Sequence, residues 1–372
     1  MTAFSGEAMI LLNPGPVNIS ERVRRALTRP DLCHREPECA ELLARIRHKL
    51  LQAFVPGHEA EYTAILLTGS GTAAVEACLL SCLPPGKRLL IVNNGVYGQR
   101  LMDMASLQRL AIPDLKYEWT CRPDPETIRV ALTQHPEVQA VALVHHETTV
   151  GLINPVHEIA EVVDNLGRVC IVDSVSGLGG EPLDIAGRHI YLVAGTAGKC
   201  IQGVPGVSFV LARKGFMERA RHYQRRSWYL SLARYYEAQE QGSVPCTPAI
   251  QVLFAFDEAL TELLEEGVAN RIKRYGQAAA LIRERMQALG VRPVLPASHQ
   301  SHSLTAFYMP EGISYQTLHD QLKARGFVIY AGQGHLESTI FRIANMGALT
   351  ENDVAAFLDA FQDVLEHHRG QA

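Results

Sequence analysis

Short apolar runs alternate with helical patterns between about residues 60 and 211. The runs are apolar throughout rather than at every second position, which indicates strands that are covered on both faces. Strands of this kind, joined by helical crossovers, predict an α/β fold with a mostly parallel sheet. The predicted strands cover residues 62–67, 88–92, 139–144, 168–172, 190–194 and 206–211, and the helices between them cover 72–81, 98–107 and 155–166.

The pattern changes near residue 250. A long helical stretch leads into alternating strands and further helices, which predicts a smaller C-terminal α+β domain. The stretch covers residues 248–289, the strands 304–308, 327–331 and 340–344, and the helices 315–325 and 351–367. The segment Asn13-Pro-Gly-Pro16 predicts an extended arm, because proline biases the residue before it away from helix. We therefore expect an arm at 1–20, a large domain at 21–262 and a small domain at 263–372.

Polar residues follow the predicted strands at the sheet edge where α/β proteins bind ligands. Lys199 is flanked by small residues after the strand at 190–194, and Asp173 follows the run at 168–172. Together they indicate pyridoxal phosphate (PLP), with Lys199 as the Schiff-base lysine and Asp173 keeping the cofactor ring protonated. Each residue has an alternative interpretation, since Asp173 can be a helix N-cap and Lys199 a solvated loop lysine.

The segment Gly69-Ser-Gly-Thr72 opens the predicted helix at 72–81. Backbone N–H groups at a helix N-terminus, together with two hydroxyls, predict a phosphate site at Ser70, Gly71 and Thr72. A plain glycine turn capped by Ser or Thr is the alternative.

Four more residues have both a functional and a structural interpretation. Tyr97 can stack on the cofactor ring or belong to the core. Thr148 can donate to the cofactor's phenolate oxygen or satisfy a turn, and Thr247, which lies between two prolines, can reach a phosphate or lie in a kinked loop. Arg342, a charge inside an alternating strand, can bind an acidic substrate or form a salt bridge.

Composition narrows the classes of function. The 372 residues are 47% hydrophobic and 20% charged with a net charge of −4, which offers no basic surface for nucleic acid or membranes. The eight cysteines form neither a CxxC pair nor a zinc-like cluster with histidine, so we expect reduced thiols and no metal. Without a signal-peptide pattern or a membrane-spanning run, a cytoplasmic location is expected.

These motifs resemble the small-aminotransferase branch of fold-type I PLP enzymes, that is, class V with its alanine–glyoxylate and serine–pyruvate members. Within that branch the chain is most similar to the 2-aminoethylphosphonate–pyruvate aminotransferases. The resemblance runs from residue 12 to about 365, and its most specific part is Lys199-Cys-Ile-Gln-Gly-Val-Pro-Gly206. The other matching stretches are Leu12-Asn-Pro-Gly-Pro16, Leu67-Thr-Gly-Ser-Gly-Thr72-Ala-Ala-Val-Glu-Ala77, Asn94-Gly-Val-Tyr-Gly98, Val144-His-His-Glu-Thr-Thr149, Ile171-Val-Asp-Ser-Val-Ser176 and Gly326-Phe-Val-Ile-Tyr330.

The resemblance implies catalytic and binding residues. Lys199 is then the Schiff-base lysine and proton shuttle, and Asp173 the partner of the ring nitrogen. The resemblance also implies that Arg342 binds the anionic group of the substrate. Thr247 would contact the cofactor phosphate of the partner subunit, which implies a homodimer. The remaining implied cofactor contacts are Ser70, Gly71 and Thr72 at the phosphate, Tyr97 at the ring face and Thr148 on the phenolate side.

The reaction that the resemblance implies is transamination of 2-aminoethylphosphonate with pyruvate, giving phosphonoacetaldehyde and alanine. Two positions depart from the family pattern: Gly198 stands where relatives usually carry a polar residue, and Ala194-Gly195 replaces a segment that begins with serine. Both departures leave Lys199 in place, so transamination is still expected, but they bear on which residues contact the cofactor and on which substrate is used. The alternatives are alanine–glyoxylate or serine–pyruvate transamination, or a related aminophosphonate as donor. A cysteine desulfurase is disfavoured because Cys200 is tied to the turn of the lysine.

Overall fold

The computed structural model describes residues 9–370. Its strands up to residue 213 are β1 Ile10–Leu11, β2 Tyr62–Thr68, β3 Arg88–Asn93, β4 Leu115–Lys116, β5 Val138–Val144, β6 His146–Glu147, β7 Leu152–Ile153, β8 Val169–Asp173, β9 Leu192–Thr196 and β10 Val207–Arg213. The helices of this part are α1 Glu21–Ala26, α2 Pro37–Phe54, α3 Gly71–Ser81, α4 Val96–Leu107, α5 Pro125–Gln134 and α6 Val156–Asn165.

The rest of the chain adds helices and a second sheet. The helices are α7 Lys214–Ala220, α8 Leu232–Glu240, α9 Ile250–Glu266, α10 Val268–Ala288, α11 Tyr315–Lys323 and α12 Glu351–Arg369. The strands are β11 Leu304–Tyr308, β12 Phe327–Val328, β13 Tyr330–Ala331 and β14 Ile340–Ala344. Within residues 9–370, no helix combines the length and the apolar character that crossing a membrane requires.

The predicted α/β fold with a mostly parallel sheet is confirmed. Seven strands form the main sheet in the order β2-β10-β9-β8-β5-β3-β4. The pairs from β9 to β4 are all parallel, and β10 runs antiparallel to both of its neighbours. The carboxyl ends of β8 and β9 therefore lie side by side at one edge of the sheet, which brings their following residues together.

Helices cover both faces of the main sheet, which explains the continuous apolar runs. In β5, Val141 and Leu143 pack into a core with α2, α5, α6 and α9. Their neighbours Ala140 and Ala142 pack on the other face with α3, α4, α7 and α8. Every side chain of such a strand is buried, so the hydrophobic positions do not alternate with polar ones.

A small antiparallel sheet in the order β11-β14-β13 forms the C-terminal α+β part. In β14, Phe341 and Ile343 pack into a core with α11 and α12. Because side chains alternate along a strand, Arg342 between them lies on the opposite face of this sheet. The division of the chain at residues 20/21 and 262/263 stays a prediction.

Two predicted elements are divided in the structure. The stretch 248–289 is two helices, α9 and α10, because Gly267 has a φ of 83° between them and favours a break. The predicted strand 327–331 is also two strands, since β12 pairs with β1 of the arm while β13 pairs with β14. The strand divides because its two halves pair with strands that are distant in the sequence, and the local hydrophobic pattern carries no information about such partners.

The predicted extended arm is found in the residues described here. β1 runs parallel to β12, and the Ala344 N–H donates to Leu12 O over 2.8 Å. The arm ends at Ser20, whose hydroxyl accepts the Val23 N–H over 3.1 Å and caps α1. Residues 1–8 of the predicted arm lie outside the described residues. The arm thus links the edge of the small sheet to the large part of the chain.

We predict that replacing Leu211 by alanine lowers the free energy of unfolding by roughly 2–5 kcal/mol, the usual cost of emptying a packed leucine site. Leu211 is 0% exposed at the centre of β10. Equilibrium denaturation by urea measures the change. Leu107→Ala is the matched control, because Leu107 is 80% exposed. Equal losses in both variants would contradict the assignment of the core.

Candidate active site

Lys199 lies in a tight turn between β9 and β10. Gln202, with a φ of 66°, donates its N–H to Lys199 O over 2.9 Å, and the Gly203 N–H donates to Ala197 O over 2.8 Å. The Lys199 side chain extends to the N-terminal arm, where Nζ donates to the carbonyl of Pro14. The turn therefore fixes the lysine beyond the carboxyl end of β9, as the sequence predicts.

Gly15 allows the arm to approach the lysine this closely. A Cβ at Gly15 would lie 2.5 Å from Lys199 Nζ and 2.8 Å from its Cδ. The φ of Gly15 is 105°, in the region that favours glycine. Gly15 was not among the predicted site residues, although its place between two prolines is a local signal of a special backbone.

The amine of Lys199 is easier to deprotonate than that of an ordinary lysine. Burial lowers the pKa of Lys199 from 10.5 to about 8; the cations of Arg342 and Arg100 lower it too, whereas Cys200 and Asp173 act in the opposite direction. Burial disfavours the charged form of any amine, so the neutral and nucleophilic form becomes accessible near neutral pH. The alternative of a solvated loop lysine does not apply.

Asp173 ends β8, the parallel neighbour of β9. The residues after it form turns rather than a helix, so the helix N-cap interpretation does not apply. Its Oδ1 accepts the Val175 N–H over 3.0 Å. Burial raises the pKa of Asp173 to about 6, against the lowering by that hydrogen bond, Arg100 and Lys199. The carboxylate is thus ionised at pH 7 and suited to hold a positively charged group.

The N-terminus of α3 faces the segment that follows Asp173. A Cβ at Gly71 would lie 2.5 Å from Cγ1 of Val175, so only glycine lets the two segments pack. Ser70 is the N-cap residue, but its side chain makes no capping hydrogen bond. Among the described residues, the N–H groups of Gly71 and Thr72 have no hydrogen-bond acceptor. The hydroxyl and these N–H groups remain available to an anion.

A buried carboxylate positions Tyr97. Glu147 is 0% exposed, and its carboxylate accepts the N–H groups of Tyr97 and Gly98, over 3.5 and 3.1 Å, at the start of α4. Thr149 accepts the Val96 N–H over 3.0 Å and donates to Glu147 over 2.5 Å. Glu147 was not predicted as a site residue; its only signal is an acidic residue that follows the apolar strand β5 after two histidines.

Tyr97 itself is half-buried and packs against the core on the α3 face of the sheet. The guanidinium of Arg100 lies 4.6 Å from the centre of its ring. The Tyr97 ring thus contacts the core and is also partly accessible, and its stacking on a cofactor ring stays a prediction. Burial raises the pKa of the nearby Glu147, whereas its hydrogen bonds from Thr149, Gly98 and Tyr97 act in the opposite direction.

Arg342 is buried, with 3% exposure, but has no carboxylate partner among residues 9–370. Its Nε donates to Ala331 O over 2.8 Å, and its Nη1 donates to Thr148 O and Gln333 Oε1, each over 3.0 Å. All three acceptors are neutral, so the salt bridge proposed as an alternative is absent from the described part of the chain. A buried positive charge without a counterion is suited to bind an anion.

Thr148 connects this arginine to the large sheet. Its backbone carbonyl accepts from Arg342, while its hydroxyl has no hydrogen-bond partner within residues 9–370. The neighbouring Thr149 satisfies the turn instead, so the hydroxyl of Thr148 is free for a ligand. Arg342 and Asp173 each act electrostatically on Lys199, so both lie near the lysine.

Thr247 is exposed in the segment that precedes α9. Two residues later, the Ala249 N–H donates to Thr68 Oγ1 over 3.1 Å, which anchors this segment beside the end of β2. The Thr247 side chain makes no hydrogen bond to any residue in the described part of the chain. Its accessibility fits a contact outside this subunit, but the contact itself stays a prediction.

Local packing explains the glycine that precedes Lys199. A Cβ at Gly198 would lie 3.0 to 3.1 Å from atoms of Pro205. A larger side chain would therefore have to displace Pro205, which helps to close the lysine turn. Similarly, a Cβ at Gly195 would lie 2.4 Å from the Phe209 ring. Both departures from the family pattern are thus matched by close packing in this chain.

Comparison with known proteins gives a consistent result. The family described as Aminotransferase class-V matches residues 26–356. A 2-aminoethylphosphonate–pyruvate transaminase of Syntrophobacter fumaroxidans is 38% identical over 368 residues, covering 98% of each chain. Another of Klebsiella pneumoniae is 37% identical over 361 residues, covering 96% of this chain and 97% of the relative. The crystal structure of an alanine–glyoxylate aminotransferase from Nostoc sp. superimposes with a TM-score of 0.91 at 25% identity, covering 98% and 97% of the two chains.

We predict that an amine-directed reagent modifies Lys199 of the cofactor-free protein with a pH midpoint near 8. Arg342→Leu is expected to raise that midpoint, because a neighbouring cation disfavours the protonated amine. Asp173→Asn is expected to lower it, because the carboxylate favours the protonated amine. Mass spectrometry of the labelled peptide gives the midpoints, and a wild-type midpoint near 10.5 would show that the lysine is not buried as described.

We predict that Gly15→Ala moves the labelling midpoint of Lys199 upwards, because the new Cβ displaces the amine from its buried position. Gly57→Ala is the matched control. Gly57 also has a positive φ, 83°, yet no atom lies within 4 Å of its Cβ position. Both variants lose stability from backbone strain, of the order of 1 kcal/mol. Equal midpoints in the two variants would contradict the close contact of the arm with Lys199.

Proposed function

The chain belongs to the aminotransferase class-V family, and we propose that it transfers the amino group of 2-aminoethylphosphonate to pyruvate. The products are phosphonoacetaldehyde and alanine. The observation that carries this proposal is Arg342, a buried cation that has no carboxylate partner within residues 9–370. It lies close enough to Lys199 to lower the pKa of the lysine. The relatives that share 37–38% of their residues with the chain carry the name of this activity.

Family and fold together imply that the enzyme depends on PLP. The residues present fit such a group. The unused N–H groups of Gly71 and Thr72 match a phosphate, and the ionised Asp173 matches a protonated ring nitrogen. We propose that PLP is held by Ser70, Gly71 and Thr72 at the phosphate, Tyr97 at the ring face, Thr148 at the phenolate oxygen, Asp173 at the ring nitrogen and Lys199 at the reactive carbon.

When bound, the cofactor supplies an electron sink for the carbon that loses its proton. In our proposal, Nζ of Lys199 takes the proton from the substrate carbon that bears the amino group and later returns a proton during turnover. Its pKa of about 8 suits this task, because the neutral amine is populated near neutral pH and is still basic enough to accept a proton. Asp173 stays ionised throughout, since its pKa of about 6 lies below that range.

One anion site must serve both halves of the reaction, because the amino donor and the keto acid occupy the same cavity in turn. We propose that Arg342 binds the phosphonate of the donor and then the carboxylate of pyruvate. A guanidinium suits both groups, since planar N–H donors match the oxygens of either anion. Its three neutral acceptors hold the arginine in place without cancelling its charge.

We also propose that the enzyme is a homodimer in which Thr247 contacts the cofactor phosphate of the partner subunit. The exposed hydroxyl of Thr247 supports this, as do the aromatic side chains of Trp228 and Tyr229, which are 65% and 40% exposed. Exposed aromatic residues of this size are typical of interfaces. The cytoplasmic location stays a prediction; the eight cysteines are all unpaired, as expected in a reducing compartment.

We predict that 2-aminoethylphosphonate, added to the PLP-loaded enzyme without a keto acid, removes the visible absorbance of the bound cofactor, and that pyruvate restores it. The reason is that each substrate completes one half-reaction without the other. Stopped-flow absorbance measures both changes. Lys199→Ala is the control, in which neither substrate should produce the change at a comparable rate.

A different donor would overturn the proposed substrate while leaving the enzyme class intact. If alanine or serine removed the absorbance and 2-aminoethylphosphonate did not, the chain would act on carboxylates only. Gly198, which stands where relatives usually carry a polar residue, would then be the first position to exchange. A loss of response in Arg342→Gln to every acidic substrate, with PLP still bound, would support the single anion site.

A further inference from the structure

The hydrogen bonds of Arg342 leave only part of its guanidinium available. A guanidinium has five N–H donors, one on Nε and two on each Nη. Nε donates to Ala331 O, and Nη1 donates to both Thr148 O and Gln333 Oε1. Only the two N–H groups of Nη2 have no acceptor within residues 9–370. Arg342 therefore offers an incoming anion one nitrogen rather than a full fork.

The side chain of Gln333 is fixed by its contact with Arg342. An arginine has donors only, so the amide of Gln333 must turn its carbonyl oxygen to Nη1, at 3.0 Å. Its NH₂ group is bonded to the same carbon and consequently lies beside the guanidinium. In the described part of the chain this NH₂ group has no acceptor, and the side chain is half-buried. Gln333 thus brings a free donor to the edge of the anion site.

The loop that carries Gln333 is held on both sides. The Gly332 N–H donates to Ile340 O over 2.9 Å, and the Leu336 N–H donates to Gln333 O over 3.0 Å. Two residues later, the His335 ring contacts that of Trp119 in a tilted arrangement with ring centres 4.2 Å apart, which connects the loop to the segment after β4. A donor on a loop held in this way is already oriented before the substrate arrives.

We propose that Gln333 determines specificity for phosphonate over carboxylate at this site, an inference that rests on the proposed function. A phosphonate presents three oxygens, whereas a carboxylate presents two. Nη2 of Arg342 has two donors, enough for a carboxylate. The third phosphonate oxygen needs another donor, and the NH₂ group of Gln333 supplies it. Gln333 touches the substrate in the donor half-reaction and positions Arg342 in both.

The test compares two inert anions on the PLP-loaded enzyme by titration calorimetry. Ethylphosphonate carries three oxygens and propionate two, on the same two-carbon chain. We expect Gln333→Leu to raise the dissociation constant of ethylphosphonate by about tenfold and that of propionate by less than about threefold. The reason is that one charge-assisted hydrogen bond is lost only with the phosphonate. Equal weakening of both anions, or of neither, would overturn the proposal, since the first result means positioning alone and the second means no contact.

A second variant guards against a folding defect. Gln333→Glu keeps the shape of the side chain but exchanges its donor for a carboxylate that pairs with Arg342. We expect this variant to bind both anions more weakly, and the effect to be larger for ethylphosphonate because of its greater charge. Unchanged binding of ethylphosphonate would overturn the proposal. Gln287→Leu, at an exposed position on α10, is the matched control and should bind both anions as the wild type does.

This measurement is independent of catalysis. If the enzyme failed to act on 2-aminoethylphosphonate, the proposed function would fall, yet the ratio of the two dissociation constants would still decide the role of Gln333. If the enzyme acted on that substrate but Gln333→Leu left the ratio unchanged, only the inference about Gln333 would fall. The split between KM and kcat for 2-aminoethylphosphonate and pyruvate then provides a second readout, since loss of a donor-specific contact raises KM for the phosphonate amine alone.

Discussion

The burial of one amine, that of Lys199, is the constraint on which the site depends. An amine that is charged in water loses solvation when it is buried, so its protonation shifts unless a counterion is near. Backbone rather than side chains covers this amine. The arm packs against it at Gly15, and the turn that contains Gln202 and Gly203 holds the lysine from the other side. The neutral form of the amine is therefore accessible near neutral pH.

Charge balance explains why the site needs an anionic ligand. Lys199, Arg342 and Arg100 bring three cations, while the carboxylate of Asp173 acts on the lysine in the opposite direction. Glu147 is also buried, but its carboxylate is engaged by the N-terminus of α4. A buried excess of positive charge is costly by itself, and a bound phosphate or acidic substrate offsets that cost. The same imbalance that makes the free protein less stable therefore contributes to binding.

Much of the fold and the core of the site could be predicted from the sequence because the signals are local. Lys199, Asp173 and Ser70 each follow an apolar run directly or after a few small residues, and the sheet brings such strand ends together. The contacts that remained unpredicted join segments far apart in the sequence. Gly15 meets Lys199, Glu147 caps a helix that begins fifty residues earlier, and Gln333 meets a strand of the small sheet.

The partners of Arg342 show how one cation can serve two substrates. A carboxylate partner would fix the guanidinium equally well, but it would cancel the charge that the substrate needs. Three neutral oxygens, from Ala331, Thr148 and Gln333, fix the side chain and preserve its charge. If Arg342 accepts both a phosphonate and a carboxylate, as we propose, it cannot itself distinguish them strongly. Discrimination must then come from donors around it, and so the selectivity of such an enzyme is set by the neighbours of its anion-binding arginine rather than by the arginine itself.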